Sequence, residues 1–232
     1  MPLSKSNGSM YPWVDFMHTH LGGECPHACS YCYVKAMAKR FGHDRYQGAI
    51  RLIEKEFRVN YVVPGTYFIE HCNDLWAAAV PDAAIVKVLE HCREWPENEY
   101  VFQTKNPGRY MDFLGMMPEK RILGCTIETT NAEIAASVSK APSPRDRFEC
   151  MDTVAVEGER VFITIEPILR GCPGKLAAMI SELCPEFVNI GADSKGTGLD
   201  EPTREEVREL IDKLGEYHVE IREKHNLDRL LK

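Results

Sequence analysis

The chain has 232 residues with a formal net charge of −7 at pH 7; 44% of the residues are hydrophobic and 27% are charged. Such a composition is typical of a globular protein with a full apolar core, and it excludes disorder on a large scale. The acidic balance argues against a protein that coats nucleic acid non-specifically, because that binding depends on clustered Lys and Arg side chains.

Six apolar, extended runs alternate with helical patterns along the chain, which indicates βα units and a parallel sheet. The candidate strands are 14–20, 65–71, 100–105, 121–128, 160–167 and 187–192. The candidate helices are 28–41, 48–58, 82–94, 107–116, 147–155 and 174–183, followed by an amphipathic helix after Pro202. Segment 130–146 is long for a βα connection, and it is either a functional loop or a surface insertion.

These elements predict an α/β fold in the form of a partial (β/α)6 TIM-like barrel with a mostly parallel sheet. We expect a single domain over residues 1–232, with a core over about 14–200 and a C-terminal helical segment over about 202–232. In such a barrel the active groups collect at the carboxyl ends of the strands. Side chains that follow the predicted strands are therefore the first candidates for a site.

The cellular location is expected to be cytoplasmic. No run approaches the roughly 18 consecutive apolar residues of a membrane span, and the N-terminal stretch MPLSKSNGSMYPW lacks the apolar segment of a signal peptide. The nine cysteines are an odd number in a long chain of this kind. Metal binding or redox chemistry therefore fits them better than a disulfide framework.

Three of the cysteines, Cys25, Cys29 and Cys32, lie together in the stretch ECPHACSYC, directly after the first predicted strand. Thiolates held this close repel each other unless a metal neutralises them, and thiolate ligands favour zinc or an iron–sulfur cluster. A structural zinc would need a fourth ligand. The candidates for that ligand are His18, His20, His27 and His71. A 4Fe–4S cluster on three cysteines would instead keep one iron open for another molecule, and we favour this interpretation.

The stretch CPHACSYCY resembles the CxxxCxΦC signature of the radical S-adenosylmethionine (radical SAM) superfamily, with Tyr31 in the aromatic position before the last cysteine. The pentapeptide CSYCY is similar to the spore photoproduct lyase-like branch. The later motifs NDLW, FQTKNPGRYMDFL, LGCTIETT, ITIEPIL and NIGADS look like the strand ends of a phage and bacterial group of three-cysteine radical SAM proteins of unassigned function. The resemblance covers about residues 14–200.

This resemblance implies a reaction and its cofactors. S-adenosylmethionine would bind the open iron of a 4Fe–4S cluster held by Cys25, Cys29 and Cys32, and reductive cleavage would yield a 5′-deoxyadenosyl radical that abstracts hydrogen from a substrate. Analogy with photoproduct lyases implies a nucleobase, a nucleotide or DNA as that substrate, and the negative charge favours a small molecule or nucleotide over duplex DNA. The electron would come from a reducing partner such as flavodoxin or ferredoxin.

Two residues are candidates for binding the cofactor: one lies in the cysteine loop and the other at the end of the second predicted strand. Tyr31 occupies the position that packs beside the adenine in the family, and its alternative is a core aromatic at the start of a helix. Asp74 ends the second strand in CNDLW, where it either binds S-adenosylmethionine or caps a helix N-terminus.

Three more candidates for the same cofactor end later strands. Thr126 and Glu128 share one strand face, which turns Cys125 to the other face, and the alternative for Glu128 is a structural ion pair. Glu166 would need a partner if buried, either a ligand or Lys105. The basic residues Lys105, Arg109, Arg145 and Arg147 either bind a substrate anion or are surface charges.

No residue is assigned as the catalytic hydrogen donor. The six remaining cysteines form no compact motif, so a single cluster is predicted. The competing hypothesis is a non-catalytic zinc or iron–sulfur module that binds a partner, and iron and sulfide analysis separates the two.

Overall fold

A mixed sheet of eight strands forms the centre of the computed structural model, which describes residues 3–6, 11–42 and 44–232. In spatial order the strands are β1 (Ser4–Lys5), β2 (Phe16–His18), β5 (Thr66–Ile69), β6 (Glu99–Thr104), β7 (Arg121–Thr126), β8 (Val161–Ile165), β9 (Val188–Ile190) and β10 (Ile221–Glu223). Only β1 runs antiparallel to its neighbour among these strands. A separate antiparallel pair consists of β3 (Leu21–Gly22) and β4 (Arg51–Leu52).

Helices follow most of the parallel strands, so the predicted partial TIM-like barrel is confirmed. They are α1 (Tyr33–Phe41), α2 (Asp82–Arg93), α3 (Ala132–Val138), α4 (Pro144–Val156), α5 (Pro173–Glu182), α6 (Arg204–Glu216) and α7 (Asp228–Leu231). Segment 130–146 thus folds into α3 and the start of α4. Within the described part of the chain, no helix combines the length and the apolar character needed to cross a lipid bilayer.

Three sequence-based expectations about secondary structure are wrong. The expected helix 107–116 is replaced by two short 3₁₀ helices, Pro107–Tyr110 and Leu114–Met116. The structure has a seventh parallel strand, β10, inside the segment 202–232 that was expected to be helical, because a run of three residues is too short to show a strand period. The expected helix 48–58 is instead strand β4 followed by the 3₁₀ helix Glu54–Arg58, since pairing with β3 overrides the helical pattern.

The two faces of the sheet bury separate cores. Outward side chains such as Leu123, Cys125 and Ile163 pack against the helices in one large apolar cluster, which confirms that Cys125 points away from the barrel interior. Inward side chains near the amino ends of the strands form a second cluster, which includes Tyr11, Phe68, Val101, Ile122 and Phe162. Further along the same inner face the residues become polar, because Gln103, Thr126, Thr164 and Asn189 continue the alternation. The barrel floor is therefore apolar and its mouth is polar.

The edge strands of the sheet are β1 and β10, and side chains on and after β10 contact aromatic rings that precede β2. The guanidinium of Arg222 on β10 lies 3.5 Å from the ring centroid of Phe187 and 5.6 Å from that of Trp13, which precedes β2. The ammonium of Lys224 lies 5.0 Å from the ring centroid of Tyr11. Cation–π contacts thus bridge this side of the barrel.

We expect Gly124→Ala to destabilise the fold. A Cβ at position 124 would lie 2.1 Å from the ring of Phe162, its partner on the adjacent strand β8, so the aromatic ring or the strand must move. Overpacking of this kind costs about 1–3 kcal/mol in free energy of unfolding. Urea denaturation measures the loss, and Gly215→Ala on α6, where the added Cβ meets no atom within 4 Å, is the control that should lose nothing. Equal stabilities of Gly124→Ala and the unmodified chain would contradict the packing described here.

Candidate active site at the cysteine loop

The three cysteines lie on the loop that joins β3 to α1, above the carboxyl end of β2. Two consecutive turns shape this loop: the Ala28 amide donates to the Cys25 carbonyl at 3.1 Å, and the Cys32 amide donates to the Cys29 carbonyl at 3.3 Å. Ala28 has a φ of 49°, a left-handed conformation that reverses the chain between Cys25 and Cys29. All three thiols are free of disulfides.

The thiols lie close enough to one another to influence their ionisation. Burial raises the pKa of Cys25 to about 12, with further contributions from the charges of Asp74, Cys29 and Cys32. Burial likewise raises the pKa of Cys32. A set of thiolates here would need cationic compensation, which fits a soft metal centre. In residues 3–6, 11–42 and 44–232, no three His, Cys, Asp or Glu side chains are placed to bind one metal ion; in a 4Fe–4S cluster each thiolate binds a different iron.

Asp74 fastens the cysteine loop to the strand ends. Its carboxylate accepts hydrogen bonds from His27 Nε2 at 2.8 Å, the Thr104 hydroxyl at 2.7 Å and the amides of Trp76 and Lys105 at 3.0 and 2.9 Å. Burial alone would raise the pKa of Asp74, but the charge of His27 and these hydrogen bonds outweigh it and lower the pKa. The expected helix N-cap is wrong, because α2 begins only at Asp82 and Asp74 caps a turn.

Glu128 is the centre of a buried ion cluster beside the loop. Its carboxylate accepts from Arg147 at 2.6 Å, from Lys105 and from the hydroxyl of Tyr31, the residue that precedes Cys32. Burial alone would raise the pKa of Glu128, but the charges of Lys105 and Arg147 outweigh it and lower the pKa to about 2. The carboxylate is therefore ionised at neutral pH, and the ion pair expected as its alternative role is present.

Thr126 lies one step below Glu128 on the same inner face. Its hydroxyl accepts from the Gln103 side-chain amide at 3.0 Å, and its carbonyl accepts from Arg147 at 2.7 Å. The Gln103 side-chain oxygen accepts in turn from the Tyr11 hydroxyl at 2.6 Å. A chain of hydrogen bonds thus connects the ion cluster to the barrel floor.

Glu166 belongs to a different part of the barrel mouth. Its carboxylate accepts from Lys224 at 2.7 Å and from Asn226 at 3.1 Å, and both partners follow or end the seventh parallel strand. Of the two partners expected for Glu166, a ligand or Lys105, the second is wrong, because Lys105 pairs with Glu128. The structure therefore brings Tyr31, Thr126 and Glu128 together, with Asp74 linked through the Lys105 amide. It holds Glu166 apart, directly after β8.

The histidines before the loop are buried in a network of their own. His18 lies 2.5 Å from the Tyr61 hydroxyl and 3.1 Å from the Glu56 carboxylate, and His20 lies 2.8 Å from the carboxylate of Glu70. Burial lowers the pKa of His18 to about 4. These contacts satisfy both rings from within the protein.

The four basic residues expected either to bind a substrate anion or to be surface charges separate in the structure, and only Lys105 and Arg147 contact Glu128. Arg109 binds the carbonyls of Ala77 and Val80, and Arg145 pairs with Glu149 on the surface, so neither faces the cluster of Glu128. The strand alternation from Gln103 to Lys105 indicates that Lys105 points inward. Arg147 is on a helix, and the sequence carries no comparable signal for its inward direction.

Solved structures share this fold over nearly the whole chain, at low sequence identity. A spore photoproduct lyase mutant with bound AdoMet and dinucleoside spore photoproduct matches at 14% identity with a TM-score of 0.58, over 92% of this chain and 63% of that chain. A second spore photoproduct lyase mutant matches at 14% identity with a TM-score of 0.64, over 99% of this chain and 77% of that chain. SuiB of Streptococcus suis bound to precursor peptide SuiA matches at 11% identity with a TM-score of 0.64, over 91% of this chain and 49% of that chain. The chain thus spans under two thirds of the first lyase chain and about half of SuiB.

The fold expected from the resemblance to the radical SAM superfamily and its lyase-like branch is confirmed, because the chain shares it with a spore photoproduct lyase and with SuiB. A family model described as "Protein of unknown function (DUF5131)" matches residues 13–220, and the chain belongs to this family. A search of curated proteins returned no match.

We expect Glu128→Gln to destabilise the chain at pH 7 by about 3–5 kcal/mol, because it leaves Lys105 and Arg147 buried without their counter-charge. The folded pKa of Glu128 is about 2 and its ordinary value is 4.5, so its contribution is complete above pH 4.5 and is lost as the pH falls towards 2. The measurement is urea denaturation between pH 7 and pH 3. The unmodified chain and Glu128→Gln should converge in stability towards the acid end.

Glu90→Gln, at an exposed position of α2, is the matched control and should follow the unmodified chain at every pH. A Glu128→Gln chain as stable as the unmodified one at pH 7 would contradict the description of this ion cluster.

Proposed function

We propose that the chain is a radical SAM enzyme whose Cys25, Cys29 and Cys32 bind one 4Fe–4S cluster. The observation that carries the proposal is the cysteine loop itself: three free thiols, brought together by two turns, at the carboxyl ends of a parallel sheet. When bound, the cluster would supply one electron and an open iron for S-adenosylmethionine, whose cleavage yields the 5′-deoxyadenosyl radical that abstracts hydrogen.

In this proposal, each residue of the inner wall has its own role in binding S-adenosylmethionine. Glu128 is ionised and lies beside two cations, so this cluster offers a carboxylate for ribose hydroxyls or the amino group and offers Lys105 for the methionine carboxylate. Tyr31 joins the cysteine loop to Glu128 through its hydroxyl, which keeps its ring beside Lys105 and next to Cys32. Thr126 holds the position of Gln103 and, with it, the floor under the cofactor.

Asp74 and Glu166 have different roles in this proposal. The oxygens of Asp74 already accept bonds from four protein groups, so Asp74 acts on the cofactor by fixing the cysteine loop through His27. Glu166 lies with Lys224 and Asn226 on the β8–β10 side of the mouth, where a substrate rather than S-adenosylmethionine would meet it. Partnered polar groups at the mouth of a barrel orient a bound molecule.

The proposed substrate is a nucleobase or nucleotide, free or in DNA. Support comes from the fold shared with a spore photoproduct lyase that holds a dinucleoside spore photoproduct, while SuiB, with the same fold, binds a precursor peptide. The negative net charge of −7 favours a small molecule or nucleotide over duplex DNA. A small reducing protein such as flavodoxin or ferredoxin would deliver the electron.

The metal content tests the first half of this proposal. After anaerobic purification and reconstitution, the unmodified chain should hold about four irons and four sulfides and should form 5′-deoxyadenosine from S-adenosylmethionine with dithionite. Each of Cys25→Ser, Cys29→Ser and Cys32→Ser should lose the iron and the product together. Cys184→Ser, at an exposed cysteine outside the loop, should keep both. A colourless chain that binds zinc and no iron would establish the non-catalytic zinc module instead.

Isotope transfer tests the substrate class. The reconstituted chain is incubated with S-adenosylmethionine, dithionite and either deuterated nucleosides, nucleotides and dinucleotides or deuterated peptides, and 5′-deoxyadenosine is analysed by mass spectrometry. Deuterium should enter 5′-deoxyadenosine from the nucleotide pool, because hydrogen abstraction carries the label. Deuterium from the peptide pool alone would overturn the substrate class and leave the radical chemistry standing.

A further inference from the structure

The segment after α3 is bound to the cysteine loop by its backbone. The amide of Ser30 donates to the carbonyl of Val138 at 2.8 Å, and the amide of Lys140 donates to the carbonyl of His27 at 2.8 Å. Between these two bonds lies Ser139, the C-cap residue of α3, which is buried. Its position relative to the loop is therefore fixed on both sides.

The hydroxyl of Ser139 lies against the middle cysteine. Its Oγ is 3.2 Å from Cys29 Sγ, 3.3 Å from the His27 carbonyl oxygen and 3.1 Å from the Ala141 amide, which donates to it. A serine hydroxyl has one proton and two lone pairs, so it donates to only one of the first two groups at a time. In the free thiol, Cys29 donates to Oγ and Oγ donates to His27.

Binding to iron changes this arrangement. A thiolate has no proton to donate and is an acceptor with negative charge, and hydrogen bonds to charged acceptors are stronger than neutral ones. The carbonyl of His27 keeps its bond from the Lys140 amide, so it is not left without a donor when the hydroxyl turns away. The hydroxyl proton of Ser139 is then free to point at the sulfur.

We propose that Ser139 donates a hydrogen bond to the cluster-bound sulfur of Cys29 and thereby raises the reduction potential of the cluster. This inference rests on the proposed function. Reduction adds one electron, taken from an external one-electron donor, and makes the cluster and its sulfurs more negative. A hydrogen-bond donor stabilises that reduced state, and hydrogen bonds to the sulfurs are among the factors that set such potentials. Ser139 is thus a positioning and tuning residue that lies outside the cysteine motif.

The test is a redox titration of the full reconstituted chain, monitored by electron paramagnetic resonance of the reduced cluster. Ser139→Ala removes the hydroxyl, and we expect the ratio of reduced to oxidised cluster at a fixed ambient potential to fall about tenfold, a shift of about 59 mV to more negative potential. Ser139→Thr keeps the hydroxyl and should keep the original potential. Ser137→Ala, two residues earlier, is the control, because its hydroxyl donates to the carbonyl of Ile134 on the exposed side of α3.

Each other outcome overturns the inference. An unchanged potential in a fully loaded Ser139→Ala chain, or an equal shift in Ser139→Thr, would show that the hydroxyl does not act on the cluster. Loss of iron from Ser139→Ala alone would assign the hydroxyl to cluster assembly rather than to potential. An unmodified chain without iron would overturn the proposed function itself, so the two failures are distinguishable.

Discussion

The site depends on one buried carboxylate, that of Asp74. A carboxylate out of contact with water is costly unless hydrogen-bond donors surround it, and Asp74 collects donors from three places: His27 in the cysteine loop, Trp76 in the next turn, and Thr104 and Lys105 at the end of β6. No regular hydrogen-bond ladder connects the loop to β6. Asp74 therefore holds His27, which lies between two of the three cysteines, and the backbone bond from the Lys140 amide to the His27 carbonyl holds the same residue from the other side.

The inner face of the barrel separates packing from chemistry along each strand. Phe68, Val101, Ile122 and Phe162 fill the floor with apolar groups, and polar groups begin one or two inward positions later. The apolar floor keeps bulk water away from Glu128 and its partners on that side. Attraction between opposite charges is stronger in such an apolar environment than in solvent. The floor therefore contributes to stability by apolar packing, and the mouth contributes through the buried ion pairs of Glu128.

The sequence predicted those parts of the site that depend on short-range patterns. The spacing of Cys25, Cys29 and Cys32 between a strand and a helix was sufficient to locate the loop, and strand alternation was sufficient to put Thr126 and Glu128 on one face and Cys125 on the other. Contacts between residues that are distant in the sequence could not be predicted from it. Lys224 as the partner of Glu166 requires β10, whose three residues carry no period, and the bond from His27 to Asp74 spans 47 residues. Each such contact depends on which elements become neighbours, and no local pattern encodes that.

The contacts of Arg222 and Lys224 with the aromatic rings near β2 have a consequence for the shape of the barrel. In the described residues, Arg222 contacts Trp13 and Lys224 contacts Tyr11 on that side of the barrel, each contact being worth on the order of 0.5–2 kcal/mol. A hydrogen-bonded pair between the edge strands β1 and β10 would have fixed the circumference of the barrel. At this seam the described residues form no strand pair, so separating the two edges would break these side-chain contacts and leave the strand ladder of the sheet intact.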